Sequence, residues 1–260
     1  MVLMSHGLGG HYKSLAWLAS ELAKSGAVVV AVNHPNSTVL DFNMQAGLAH
    51  WTRPADLIAA LAEVQVDPEI GPLMDMSQLA VVGFSYGGWT ALSMGGVRGS
   101  LAGYQAHCKN QPSSHCVDIA KSEADLALLD AELWDGNYLD TRVRKIVAID
   151  PGLTYGLTTE NVAGLAADTL LIQLGQGPDR LDSTDLSAKG SGFAALVADA
   201  KLLEIAPAYH FSAMPLCTAK GAVILASEND DPVCTDPKGA DRSVIHDQMI
   251  AAVKAHLGLK

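Results

Sequence analysis

Positive charge is scarce in this chain: 17 Lys and Arg residues stand against 28 Asp and Glu, a formal net charge of −11. With no Lys/Arg cluster to neutralise phosphates, a nucleic-acid or anionic-membrane surface is disfavoured. Long apolar runs are missing too, and the longest, Ala27 to Val32, falls far short of a membrane span. No repeat or compositionally biased segment stands out, which removes the disordered and fibrous classes. No basic stretch opens the chain as in a secretory leader, since Met1 leads through apolar residues straight to Ser5-His6-Gly7. No shift in composition marks a second domain. What is present is a 260-residue chain, 49% hydrophobic and 17% charged, enough for one sizeable core in a single domain spanning 1–260.

The four cysteines form two local pairs, Cys108/Cys116 and Cys217/Cys234. An even count at short range reads as two disulfides, and so as a periplasmic or secreted protein. The absence of a leader points the other way. The two agree if the native chain is longer at its N-terminus; a cytoplasmic protein with four thiols is the alternative. His107-Cys108 and His115-Cys116 also place four potential metal ligands within ten residues. Adjacent His-Cys pairs do not converge easily on one tetrahedral centre, so a stapled surface loop is preferred and no metal is assigned. Glu228-Asn229-Asp230-Asp231 and Asp236 lack the D-x-D-x-D-G pattern of a calcium loop and read as a solvated acidic turn.

Short β-branched runs alternate with helix-period segments. Val2–Met4, Ala27–Val32, Leu79–Val82, Lys145–Ile149, Thr169–Leu174 and Leu202–Ile205 read as buried strands bounded by turn residues. Leu15, Leu18 and Leu22, then Leu57, Leu61 and Val64, and finally Ile245, Met249, Val253 and Leu257 fall at helical spacing. The alternation predicts a doubly wound α/β domain, its mostly parallel sheet covered by helices on both faces. Residues 97–142 break the rhythm and read as a cap or lid insertion, with a helix around Ala120–Leu133.

The sharpest motif is Gly83-Phe84-Ser85-Tyr86-Gly87, a G-x-S-x-G directly after a predicted strand and before a predicted helix. A nucleophilic serine needs such a turn to expose its hydroxyl, and the glycines let neighbouring backbone approach. Ser5-His6-Gly7-Leu8-Gly9-Gly10 follows the first strand and suits an oxyanion loop, with the amides of Leu8 and Tyr86 as donors. It lacks the Lys-Ser/Thr and the G-x-G-x-x-G spacing of a phosphate loop. His210 follows the last strand, where the base belongs in the chain order Ser, acid, His. His6 and His34 precede the serine and read as turn contacts, and His246 and His256 read as a solvated face of the last helix. Asp150 and Asp179 both end strands between Ser85 and His210. Asp150 is preferred as the acid, Asp179 is the alternative and Asp182 comes third, the others serving as turn or cap carboxylates.

The segments Leu3–Gly10, Ala31–Pro35, Val82–Gly88, Val147–Gly152 and Tyr209–Cys217 resemble the α/β-hydrolase superfamily. They are most similar to the predicted dienelactone hydrolase group, relatives of platelet-activating-factor acetylhydrolases. The resemblance implies a cofactor-free serine esterase acting on small-molecule esters, with a lipid or polyester hydrolase, or a non-catalytic binding protein on the same scaffold, as alternatives. It accommodates either acid. True dienelactone hydrolases carry a cysteine nucleophile where this chain has Ser85, which favours ordinary esters. The family also has two strands before the His-Gly loop, and these are expected to be missing here.

Overall fold

The computed structural model describes residues 1–228 and 231–260. β1 (Val2–Ser5) leads through α1 (Ala16–Lys24) to β2 (Val29–Ala31), then through α2 (Met44–Gly47) and α3 (Thr52–Gln65) to β3 (Ala80–Phe84). α4 (Tyr86–Met94), α5 (Leu101–Asn110), α6 (Ser114–Lys121) and α7 (Ala131–Trp134) precede β4 (Lys145–Ile149). α8 (Thr159–Val162), β5 (Asp168–Leu174), α9 (Phe193–Leu196) and β6 (Lys201–Ile205) follow, and α10 (Ala219–Glu228) and α11 (Arg242–Leu257) end the chain.

The six strands form one sheet in the order β2-β1-β3-β4-β5-β6, and every pairing is parallel. The expectation of a mostly parallel sheet therefore becomes wholly parallel. All six predicted strands are present, with ends shifted by no more than two residues. Alternate residues feed two cores. Val2, Met4, Val82, Phe84, Val147 and Ile149 face α1 and α11, meeting Leu18, Leu22, Ile245 and Met249. Leu3, Val81, Ile146 and Ala148 face the other way, toward Leu57, Leu61 and Trp89. A parallel sheet covered on both faces needs this near-continuous apolar strand content, because neither face meets water.

Successive strands are added in one direction from β1 to β2 and in the other from β3 onward. The crevice where the order reverses, outside the C-terminal ends of β1 and β3, is where open α/β sheets bind ligands.

Two expectations need correction. The helix anticipated around Ala120–Leu133 is instead α6, which stops at Lys121, and the four-residue α7. Between them Glu123 takes φ 61°, and the Asp125 and Asp130 carboxylates accept backbone N–H groups and so start new turns. His246 and His256 are buried rather than solvated. His246 stacks on Trp17 with ring centroids 3.8 Å apart, and His256 bonds the Asp168 carbonyl at 3.1 Å.

The 97–142 insertion shares the main core through Leu101, Tyr104, Ile119 and Trp134. Gln45 exchanges hydrogen bonds with the backbone of Asp125, and Asp182 accepts from both the amide and the hydroxyl of Ser114. Cys108–Cys116 closes its α5–α6 hairpin, and Cys217–Cys234 brackets α10. Among the described residues no helix is long and apolar enough to cross a membrane.

Candidate active site

Ser85 joins β3 to α4 at φ 56° and ψ −118°, a conformation few non-glycine residues hold without support. The motif glycines supply that support by being absent as side chains. A Cβ on Gly83 would stand 1.9 Å from the Gly87 carbonyl oxygen, and one on Gly87 would stand 2.0 Å from that of Ser5. Three backbone segments thus touch beneath the serine. The Ser85 amide donates to the Ile149 carbonyl at 2.8 Å, and its own carbonyl accepts from Trp89 and Gly152. The side chain is left half-exposed at the end of the sheet.

His210 opens the turn that leaves β6. The Ser85 hydroxyl donates to His210 Nε2 at 3.0 Å, and His210 Nδ1–H donates to Asp150 Oδ2 at 2.6 Å. The imidazole stacks on Phe84, with centroids 4.6 Å apart. Its turn is held from behind: Ser212 donates to Asp236, which also receives Arg242, and Trp17 Nε1 donates to the Ala213 carbonyl. Asp236 thus works as a brace. Asn229 and Asp230 of the acidic turn lie outside the described residues, and so do the side-chain surroundings of Glu228.

Asp150 is wholly buried at φ 46°, directly after β4. Beyond His210 it accepts the Leu174 amide on Oδ1 and the Thr184 hydroxyl on Oδ2, both at 2.9 Å. Three hydrogen bonds thus fix the carboxylate, and through Nδ1–H it orients the His210 ring. Asp179 lies in the turn Gly177–Asp179, and among the described residues no hydrogen bond joins it to His210. Gly175 and Gly177, both at positive φ, curl that loop aside, and Arg180 pins it to the Gly175 carbonyl. Asp182 holds Ser114 of the insertion instead.

The Ser5–Gly10 loop packs against the serine, since a Cβ on Gly7 would lie 3.3 Å from Ser85 Cβ. Gly9 N–H is committed to the Ser37 carbonyl and Gly10 N–H to that of Gly7. Among the described residues the amides of Leu8 and Tyr86 have no protein partner, Tyr86 being at the first position of α4, where N–H groups go unpaired. Val39, Leu40 and Phe42 stand exposed beside this loop, Phe42 within 3.8 Å of a Cβ placed on Gly9.

Sequence reasoning passed over the layer behind the loop. Arg53, in the first turn of α3, is 1% exposed. Its Nε donates to Thr90 Oγ1 at 3.0 Å, its Nη1 to Ser37 Oγ at 2.6 Å, and its Nη2 to Ser5 Oγ at 3.1 Å and to the His6 carbonyl. Burial lowers its pKa to about 9, which leaves it charged at neutral pH. Burial and then the Arg53 charge lower His6 to about 3 and His34 to about 2, so both rings are neutral. Burial raises the Asp56 carboxyl. The only local signal of this layer is a cation at a helix N-terminus, the unfavourable end for one.

Among the described residues, no three His, Cys, Asp or Glu side chains are placed to hold a metal ion. Cys108 and Cys116 are joined to each other, while His107 bonds Ser113 and His115 bonds Tyr104. No family model matches this chain, and no curated protein matches it.

Proposed function

We propose that the chain is a serine hydrolase of α/β-hydrolase architecture that cleaves carboxylic esters through an acyl-enzyme. The observation that carries the reading is the Ser85–His210–Asp150 relay, 3.0 Å and then 2.6 Å, on a positive-φ serine between β3 and α4. His210 Nε2 takes the hydroxyl proton as Ser85 Oγ attacks the ester carbonyl, and Asp150 stabilises the imidazolium and fixes its tautomer. The free amides of Leu8 and Tyr86 receive the negative charge that develops on the carbonyl oxygen. One such donor typically contributes about 2.7–4 kcal/mol to the transition state. His210 then returns the proton to the leaving alcohol. A water, deprotonated by the same nitrogen, releases the acid.

The exposed apolar ledge of Val39, Leu40 and Phe42 beside the oxyanion loop favours substrates with an apolar acyl part, which keeps a lipid or polyester ester within the reading. Two disulfides accord with a periplasmic or extracellular setting.

A p-nitrophenyl ester series from acetate to palmitate, run with wild type and Ser85→Ala, tests the proposal. Hydrolysis that disappears in the variant supports it. A folded wild type that is inert on every ester, and unlabelled by a fluorophosphonate, overturns it in favour of a binding protein on the same scaffold.

A further inference from the structure

The buried guanidinium of Arg53 makes four hydrogen bonds, all to neutral acceptors, and among the described residues it forms no ion pair. A charge removed from water in this way is costly unless something distant balances it. The balance is traceable bond by bond. Ser5 Oγ accepts from Arg53 and donates to His34 Nε2 at 3.0 Å. His34 Nδ1–H donates to Asp56 Oδ2 at 2.8 Å, and that carboxylate is 27% exposed. Because His34 is neutral, with one nitrogen accepting and the other donating, the directions along this chain are set. The Arg53 guanidinium also lies 4.8 Å from the Tyr86 ring centroid, a second source of compensation.

The four acceptors sit on three separate parts of the candidate site. Ser5 and His6 form the root of the oxyanion loop. Ser37 supplies the carbonyl that holds Gly9 N–H. Thr90 is on α4, whose first residue carries the Tyr86 amide. The same network reaches the Leu8 amide through a peptide plane. The His34 amide donates to His6 Nε2 at 3.1 Å, which leaves His6 Nδ1–H to donate to the Gly7 carbonyl at 2.6 Å. The Gly10 amide grips that same carbonyl at 3.1 Å. The Gly7 C=O and the Leu8 N–H belong to one planar unit and point in opposite directions, so holding the first aims the second.

From this we infer that Arg53 is a positioning residue for the oxyanion hole: balanced at a distance by Asp56 through Ser5 and His34, it holds the Leu8 and Tyr86 amides in one frame. The inference rests on the ester-hydrolase reading given above and assigns Arg53 no contact with substrate. Its neighbours are all neutral, and only a forked, multi-donor cation spans three segments at once, which a lysine does not.

Arg53→Met and Arg53→Lys, compared with wild type on the best p-nitrophenyl ester, test the inference. For Arg53→Met, kcat is expected to fall about 10²-fold with KM within about twofold, the pattern of a group acting only in the transition state. The inhibition constant of a boronic acid, which forms a tetrahedral anion on Ser85, rises by the same factor. Arg53→Lys recovers part of both. Should the Met variant not fold, Ser5→Ala, which removes the first hydroxyl of the relay with its bonds to Arg53 and His34, is expected to lower kcat about fivefold at constant KM. Unchanged kcat in the folded variants, or a loss of kcat matched by an equal rise in KM, overturns the positioning role and leaves the esterase reading standing. A wild type without esterase activity or fluorophosphonate labelling overturns both.

Discussion

The molecule contains two Ser–His–Asp relays of nearly equal geometry, Ser85–His210–Asp150 and Ser5–His34–Asp56. Hydroxyl-to-imidazole distances are 3.0 Å in both, and imidazole-to-carboxylate distances are 2.6 and 2.8 Å. Composition and spacing therefore do not separate a nucleophile from a structural brace. Three other properties do. Ser85 is half-exposed on a positive-φ turn, whereas Ser5 ends a strand with no exposed surface. Ser5 Oγ already accepts from Arg53, whereas Ser85 Oγ donates to His210 Nε2 and accepts from no donor among the described residues. The wholly buried carboxylate, Asp150, backs the histidine of the accessible serine, while the partly exposed carboxylate, Asp56, backs that of the sealed one. On the proposed reading, reactivity follows access and an open lone pair, and the relay alone confers neither.

The largest expected effect breaks this comparison at its centre. Ser85→Ala should lower ester hydrolysis by about 10⁴–10⁶-fold, and a fluorophosphonate should label wild type once, at Ser85 and not at Ser5, by peptide mass mapping. Labelling at Ser5 would void the distinction drawn here. Next in size, Asp150→Asn should cost about 10⁴-fold in kcat by upsetting the His210 tautomer, while Asp179→Asn stays within about threefold of wild type. Equal losses in both variants would return Asp179 to the site.

Stability against pH sharpens the contrast from the other side. His6, His34, His50 and His115 have folded pKa values lowered to about 3, 2, 3 and 4 by burial. Below about pH 6.5 the unfolded chain takes up protons that the folded state refuses, so stability falls with pH until those folded values are reached. Each ring contributes up to about 2 kcal/mol of loss between pH 6.5 and 5. Urea denaturation at the two pH values measures it, and His34→Gln should shrink the difference. Replacing Cys217 and Cys234 together by serine should cost about 3 kcal/mol for a sequence separation of 17. A lower kcat in that variant at 25 °C would show that the bracket around α10 also steadies the His210 turn.

The strands and the serine turn were legible because their signals are local. A β-branched run bounded by turn residues, or a glycine two places either side of a serine, carries its physics within eight residues. His210 was legible from chain order. Asp150 was preferred to Asp179 only narrowly, because what separates them is how two loops curl: Asp150 turns back through its own positive φ, and Asp179 is drawn aside by Arg180. Arg53 was invisible for a deeper reason. Its four acceptors are distributed from Ser5 to Thr90, and no period or motif links them. The burial of His246 and His256 was missed likewise, since an i,i+4 stripe shows which face of a helix is buried and not how wide the covered arc is.

The attachment of the 97–142 segment at Asp182 has a consequence for evolvability. Asp182 receives Ser114, and two residues later Thr184 donates to Asp150. The insertion is thus moored to the loop that steadies the Asp150 carboxylate. On the proposed esterase reading, selectivity and turnover would share a tether. Swapping the insertion for another would alter both together, so a laboratory lineage selected for a new substrate should accumulate compensating changes around residues 181–185 before its rate recovers.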